Sequence, residues 1–216
     1  MEILKTIQKI SKTFPISIIF FKGKDYISKL IIESENIFWK NQSTYPDYKN
    51  AQWSHVGLLI GNFFYESTVD VDRKLVYGVQ RVLIDKRFSE KELKNVSQIG
   101  VIQNLNISKQ QIVDIRNYCE KSIGKITYGG VELFGTLLAL WLWKISPTSI
   151  KEKILRNKNP FDDPKSMYCV AFVIEALKNG LGFYPLRKFV EPSISTVDHL
   201  WIDISLECEK LIFTEK

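Results

Sequence analysis

The apolar residues of the first fourteen positions recur at helical spacing. Ile3, Ile7 and Ile10 interleave with Lys5, Lys9 and Lys12, which predicts an amphipathic helix over Met1 to Phe14, stopped by Pro15. Ile16 to Phe21 is a short β-rich run that reads as a buried strand. Asp25 stands where an N-cap belongs, before a helix through Tyr26, Leu30 and Ile31 towards Phe38. After a polar loop with Pro46, Ser54 to Ile60 and Phe63 to Ser67 form two β-rich runs joined by Gly61-Asn62, the pattern of a two-residue hairpin. Gly78 to Ile84 and Gln98 to Gln103 read as further strands, and Ser108 caps a helix to about Ser122.

Beyond Gly124 and the pair Gly129-Gly130, which bracket Tyr128 in a turn, Val131 to Ile145 is helix-like and apolar. A polar stretch runs to Pro164. Ser166 to Lys178 reads as a second strong helix with Gly180 as its stop, and Leu211 to Phe213 returns to strand. Strands concentrated early and helices interleaved later predict an α+β fold with an antiparallel sheet. Neither a repeat nor a Pro/Gly/Ser linker interrupts the chain, so residues 1–216 read as a single domain.

Composition narrows the function classes. Thirty basic residues against 24 acidic give +6, spread without a block of like charge. That excess is too diffuse for nucleic-acid binding and weakly favours anionic surfaces such as phospholipid or cell-wall polymer. Cys119, Cys169 and Cys208 are odd in number and lack metal-like spacing, so they read as reduced thiols, with no metal and no organic cofactor expected. The N-terminus lacks the uninterrupted apolar core of a signal peptide. Leu133 to Trp143 is far shorter than the roughly 20 residues that span a bilayer. The expectation is a cytoplasmic protein, with that segment a buried helix or one that dips into a membrane surface.

Chemistry concentrates in few residues. Cys169 opens a predicted helix, where unpaired N–H groups and the helix dipole stabilise a thiolate and an oxyanion. Cys119 lies on the apolar stripe of its helix with Ile112 and Ile115 and reads as a small buried hydrophobe. A base for Cys169 has to be His55 or His199, the two histidines of the chain. His55 begins a strand; His199 lies in a segment without a clear period. The Gly61-Asn62 turn brings Glu66 across from Gly57 to His55, where a carboxylate orients an imidazole.

These residues together resemble a known family. Phe20 to Ile31 (FFKGKDYISKLI), Ser54-His55-Val56-Gly57-Leu58, Tyr65-Glu66-Ser67, Gly78-Val79, Gly124 with Tyr128, Tyr168-Cys169 and the tail from Pro192 to Leu200 match its order. The family is the circularly permuted papain-like amidases, the YiiX/YaeF-type branch of the NlpC superfamily. Lecithin–retinol acyltransferases and a poxvirus family are more distant members. The resemblance covers roughly residues 15 to 200, and the order of His, then acid, then Cys is the permuted one.

What the resemblance implies is an antiparallel sheet packed against helices, with the nucleophile at a helix N-terminus. It also implies a Cys169–His55–Glu66 triad acting through a thioester. Tyr168, Tyr128 and Ser54 are its candidates for the pocket or the oxyanion hole. The implied activity is hydrolysis or transfer of an acyl group from a peptide-like amide or a lipid ester, with peripheral membrane contact in the lipid case. The rival classes are a binding module that keeps the fold and a structural protein built on it, and both call for an ordinary, unreactive thiol at Cys169.

Overall fold

The structure is a computed structural model that describes residues 2–40, 50–70, 76–157, 159, 161, 163, 165–188 and 190–214. Pro46 of the expected loop and Pro164, where the polar stretch ends, lie outside these residues. The fold is α+β, built on a six-stranded antiparallel sheet of order β4-β3-β2-β1-β5-β6.

The first helix, α1 (Glu2–Thr13), leads into β1 (Ile16–Gly23), and α2 (Tyr26–Lys40) follows. The side chain of Asp25 accepts from Ser28 N (2.8 Å) and Ser28 Oγ (2.7 Å), which caps α2. Strands β2 (His55–Ile60) and β3 (Phe63–Asp70) form the expected hairpin, pairing Ile60 with Phe63 and Leu58 with Tyr65. Gly61 makes that turn at φ 56°, a conformation costly for a residue with a Cβ. The meander continues into β4 (Val76–Leu83), two short helices α3 (Ile84–Arg87) and α4 (Glu90–Leu93), and β5 (Val96–Gln103). Strand β1 runs between β2 and β5 and is covered on both faces, which is why Ile16 to Phe21 is apolar at every position except Ser17.

One face of the sheet packs on α5 (Lys109–Ser122), α8 (Cys169–Leu181) and α9 (Val197–Asp203) through Phe20, Leu58, Tyr65, Ile115, Phe172 and Leu200. The opposite face packs Phe21, Leu59, Phe64 and Val101 against α1, α3 and α4. A third cluster, Phe38, Trp39, Leu140 and Trp143, joins α2 to α6 (Gly130–Ile145). A short 3₁₀ turn (Pro192–Ile194) precedes α9, and β6 (Glu209–Thr214) closes the sheet beside β5. Among the described residues, no helix is long and apolar enough to cross a membrane.

Three elements differ from the sequence reading. The polar stretch before Pro164 contains a helix, α7 (Thr148–Arg156). The helix expected from Ser166 starts at Cys169, because residues 165–167 are held extended: Thr127 N donates to Lys165 O (2.8 Å) and Met167 N to Thr127 O (2.9 Å). Gly180 does not stop α8. Gly182, at φ 76°, is its left-handed cap, and Gly180 lies inside the helix where α5 crosses it.

A Cβ at Gly180 meets Ile115 Cγ1 at 2.1 Å and Ile115 N at 2.7 Å. Helix propensity alone makes Gly180→Ala stabilising by about 1 kcal/mol. The crossing reverses the sign: urea unfolding of this variant is expected to show a loss of about 1–3 kcal/mol.

Candidate functional site

The two-residue turn sets the register that builds the site. One step beyond the Leu58–Tyr65 pair, Gly57 faces Glu66, and His55 lies on the same side two residues along β2. Gly57 has no room for a side chain: a Cβ there falls 2.3 Å from the Phe64 ring and 2.6 Å from Tyr65 O. Its absence lets Phe64 fill the gap between His55 and the rest of the strand. His55 Nε2 and Glu66 Oε2 are 2.7 Å apart.

Glu66 is 2 % exposed and carries more partners than His55 alone. Arg87 Nε donates to Oε1 (2.9 Å) and Oε2 (3.1 Å), and Gln80 Nε2 donates to Oε1 (3.1 Å). Burial favours the neutral acid, but the Arg87 charge and the donors from His55 and Arg87 outweigh it and hold the carboxyl at about 2. Arg87 is itself clamped over the Phe21 ring (4.3 Å to the centroid) and near Phe64 (5.5 Å). Neither Arg87 nor Gln80 stands out in the sequence. Gln80 faces Glu66 through the β3–β4 register, for which the chain carries no turn pair like Gly61-Asn62, and Arg87 arrives from α3.

Cys169 is the first residue of α8 and 4 % exposed. Its helix packs against β2 and β3, and Ser67 Oγ hydrogen-bonds the carbonyl of Met167, which places the start of α8 beside the strand that carries Glu66. Burial disfavours a charge on His55. Cys169, as electrostatic and hydrogen-bond partner, and Glu66 outweigh burial and raise the imidazole to about 9. The other two thiols are pushed up by burial, that of Cys119 strongly.

His199, the alternative base, has a different task. Its Nδ1 accepts from Thr196 N (2.9 Å) in a capping box, and its ring packs on Phe38 and Trp39. Burial lowers it to about 3, so it stays neutral. Its neighbour Asp198 accepts from Gln52 N (3.0 Å) and Trp53 N (3.3 Å) and so fixes the segment leading into His55.

The three pocket candidates separate. Ser54 Oγ accepts from Gly23 N (3.0 Å) and donates to Phe21 O (3.3 Å), so its hydroxyl ties β1 to β2 and is not free for an oxyanion. Tyr168 OH is buried and donates to Ser195 O (2.7 Å). Of its two expected roles, its one proton is directed into the core and away from an oxyanion, while its side chain lines the narrow space beside Cys169. Tyr128 is the half-buried one, with burial first and then the Cys169 thiolate raising its phenol. The segment before it is pinned at Gly78, where φ is +126° and a Cβ lies 2.2 Å from Ile126 O.

A cleft of about 550 Å³ opens over Phe21, His55, Glu66, Arg87, Tyr128 and Leu133. Cys169 lies on a narrow apolar extension of about 10 Å³ that shares Ile31, Ser54, Tyr128 and Leu133 with the cleft. Among the described residues, no group of three or more His, Cys, Asp or Glu side chains is arranged to hold a metal ion. Compared with protein-family profiles, the chain matches none, and no curated protein matches it.

Glu66 binds its proton more weakly folded than unfolded. Its contribution to stability is therefore present above the ordinary carboxyl value near 4.5 and is lost as pH falls towards 2. Urea midpoints measured from pH 6 to pH 2 are expected to fall through that window. Arg87→Met leaves the buried carboxylate without its cation, so at pH 7 it is expected to cost roughly 3 kcal/mol and to move the acid transition upward.

Proposed function

We propose that the chain is a cysteine-dependent hydrolase or acyltransferase of permuted papain-like arrangement, acting on an amide or ester through Cys169, His55 and Glu66. The observation that carries this reading is the 2.7 Å contact from His55 to a carboxylate locked by Arg87, beside a helix whose first residue is a cysteine.

His55 directs Nε2–H at Glu66, so Nδ1 is the nitrogen left for the Cys169 proton. Proton transfer from Sγ to Nδ1 gives a thiolate, which attacks the acyl carbon as the carbonyl π pair moves onto oxygen. The first N–H groups of α8 have no intrahelical acceptor and stabilise that oxyanion. Collapse breaks the C–N or C–O bond, and the leaving group takes the proton from His55. That release is helped by a change of charge: once Sγ is acylated, the thiolate that raised the imidazole is gone, and the imidazolium becomes a stronger acid. Water or another acceptor, deprotonated by His55, then attacks the thioester. The C–S bond breaks and the thiolate is restored.

The three cysteines are free, which suits a reducing, cytoplasm-like compartment. The substrate is an acyl compound, peptide-like or lipid.

Limiting iodoacetamide at about pH 6, where an ordinary thiol near 8.5 is protonated, is expected to label Cys169 ahead of Cys119 and Cys208. His55→Ala is expected to slow that labelling on the order of a hundredfold. Mass spectrometry of the separate peptides reads both effects. Labelling of Cys169 no faster than free cysteine moves the chain to the class of binding modules. Cys169→Ala is expected to abolish turnover of any amide or ester substrate found, with the circular dichroism spectrum unchanged.

A further inference from the structure

Helix α6 is apolar on all sides, yet only part of it is covered. Gly135, Thr136, Leu140 and Trp143 face inward. On the outer side Val131 is 66 % exposed, Phe134 62 %, Trp141 51 % and Ile145 60 %. These four follow one another at intervals of three, seven and four residues, so they form one stripe about 21 Å long. Scattered exposed apolar side chains are ordinary in proteins, but a contiguous row of large ones is not.

The stripe begins at the mouth of the cleft. Val131 and Phe134 flank Leu133, a residue of the cleft wall. Across the mouth, α2 starts with Tyr26 and Ile27, both exposed, and Ile27 also lines the cleft. The two helices run parallel: Ile31 and Leu133 meet at the cleft end, Phe38, Trp39, Leu140 and Trp143 at the other. Their uncovered apolar side chains therefore share one rim.

The charge on the α6–α7 side of this rim is positive. Helices α6 and α7 carry Lys144, Lys151, Lys153 and Arg156 against Glu152 and Glu132, and Glu132 is buried. Lys151 Nζ sits 4.3 Å over the Trp143 ring. The start of α2 is mixed, with exposed Lys29 offset by exposed Asp25 and Glu33, so the basic border lies along α6 and α7. An exposed apolar stripe that includes Trp141, with exposed Lys144 on the same helix and the basic residues of α7 packed next to it, is the chemistry of a helix lying flat in a lipid interface.

We propose that the outer face of α6, with the start of α2, docks the chain on an anionic phospholipid surface, with the mouth of the cleft opening into it. A protein partner or a second copy seated on the same rim closes the cleft, whereas a fluid bilayer leaves it open to an acyl lipid entering sideways. The use of the docking rests on the hydrolase reading above; the docking itself needs no turnover.

Full-length Cys169→Ala protein is sedimented with vesicles of phosphatidylcholine alone and of phosphatidylcholine mixed with phosphatidylserine. Expected are binding to the mixed vesicles, weaker binding to the neutral ones, and weakening by salt. Tryptophan emission is expected to shift to the blue on binding. Trp141→Phe removes most of that shift and keeps the binding. Adding Phe134→Ser and Trp141→Ser together, both at exposed positions, is expected to lower partitioning about tenfold or more, with an unchanged circular dichroism spectrum.

No sedimentation with either vesicle overturns the docking, as does equal binding by the double variant. A concentration-dependent dimer that the double variant abolishes, without vesicle binding, also overturns it and assigns the face to self-association. Alkylation of Cys169 in the wild-type chain is read alongside. Vesicle binding with an inert thiol removes the hydrolase reading alone, and a reactive thiol without binding removes the docking alone.

Discussion

A carboxylate removed from water has to be compensated where it sits, and Glu66 organises its surroundings on that account. Three donor side chains from three elements converge on it: His55 from β2, Gln80 from β4 and Arg87 from α3. Each is placed by a different part of the fold, so the network ties the hairpin, the third strand of the meander and the corner beyond it into one unit. The guanidinium is in turn pressed against Phe21 and Phe64, which joins the charged cluster to the apolar layer under α1. Losing the guanidinium leaves the other donors facing a buried charge without its cation. The imidazole at the cleft is thus oriented by the same interaction that stabilises this side of the sheet.

Cys169 is placed by a separate device. Residues 165–167 are held straight by Thr127, and Ser67 takes hold of the Met167 carbonyl, so α8 cannot begin before Cys169. The segment that performs this clamping runs on into Tyr128 and α6. Close backbone approach at Gly78 fixes one side of it and the Cys-bearing strand-to-helix corner the other. The cleft wall at Tyr128 and Cys169 are consequently positioned by one short stretch of chain. Asp198 adds a third constraint by holding the backbone that enters His55.

Helix α6 illustrates a different balance. Its inner stripe meets α2 and the 3₁₀ turn and is satisfied there. Nothing in the described chain covers its outer stripe, although those residues are as apolar as the buried ones. Sequence periodicity is blind to this distinction, because a helix apolar all round has no preferred face. The surface acquires meaning only from its position, beside a cleft mouth and within a basic border.

By itself the sequence determined whatever depends on neighbours a few residues apart. The Asp25 and Ser108 caps, the Gly61-Asn62 turn and the β-rich run of β1 all appear in the structure where local chemistry requires them. The turn also set the register that brings Glu66 to His55, since strand pairing propagates at two residues per repeat. Tertiary structure decided what spans longer separations. Arg87 reaches Glu66 from a four-residue helix that no pattern foretells, and Gly180 reads as a helix stop until α5 is seen to cross it. The roles of the two histidines separate only once one is found beneath Phe38 and Trp39 and the other at the cleft. Local rules describe how the backbone bends, and burial, which determines charge and reactivity, is a property of the packed whole.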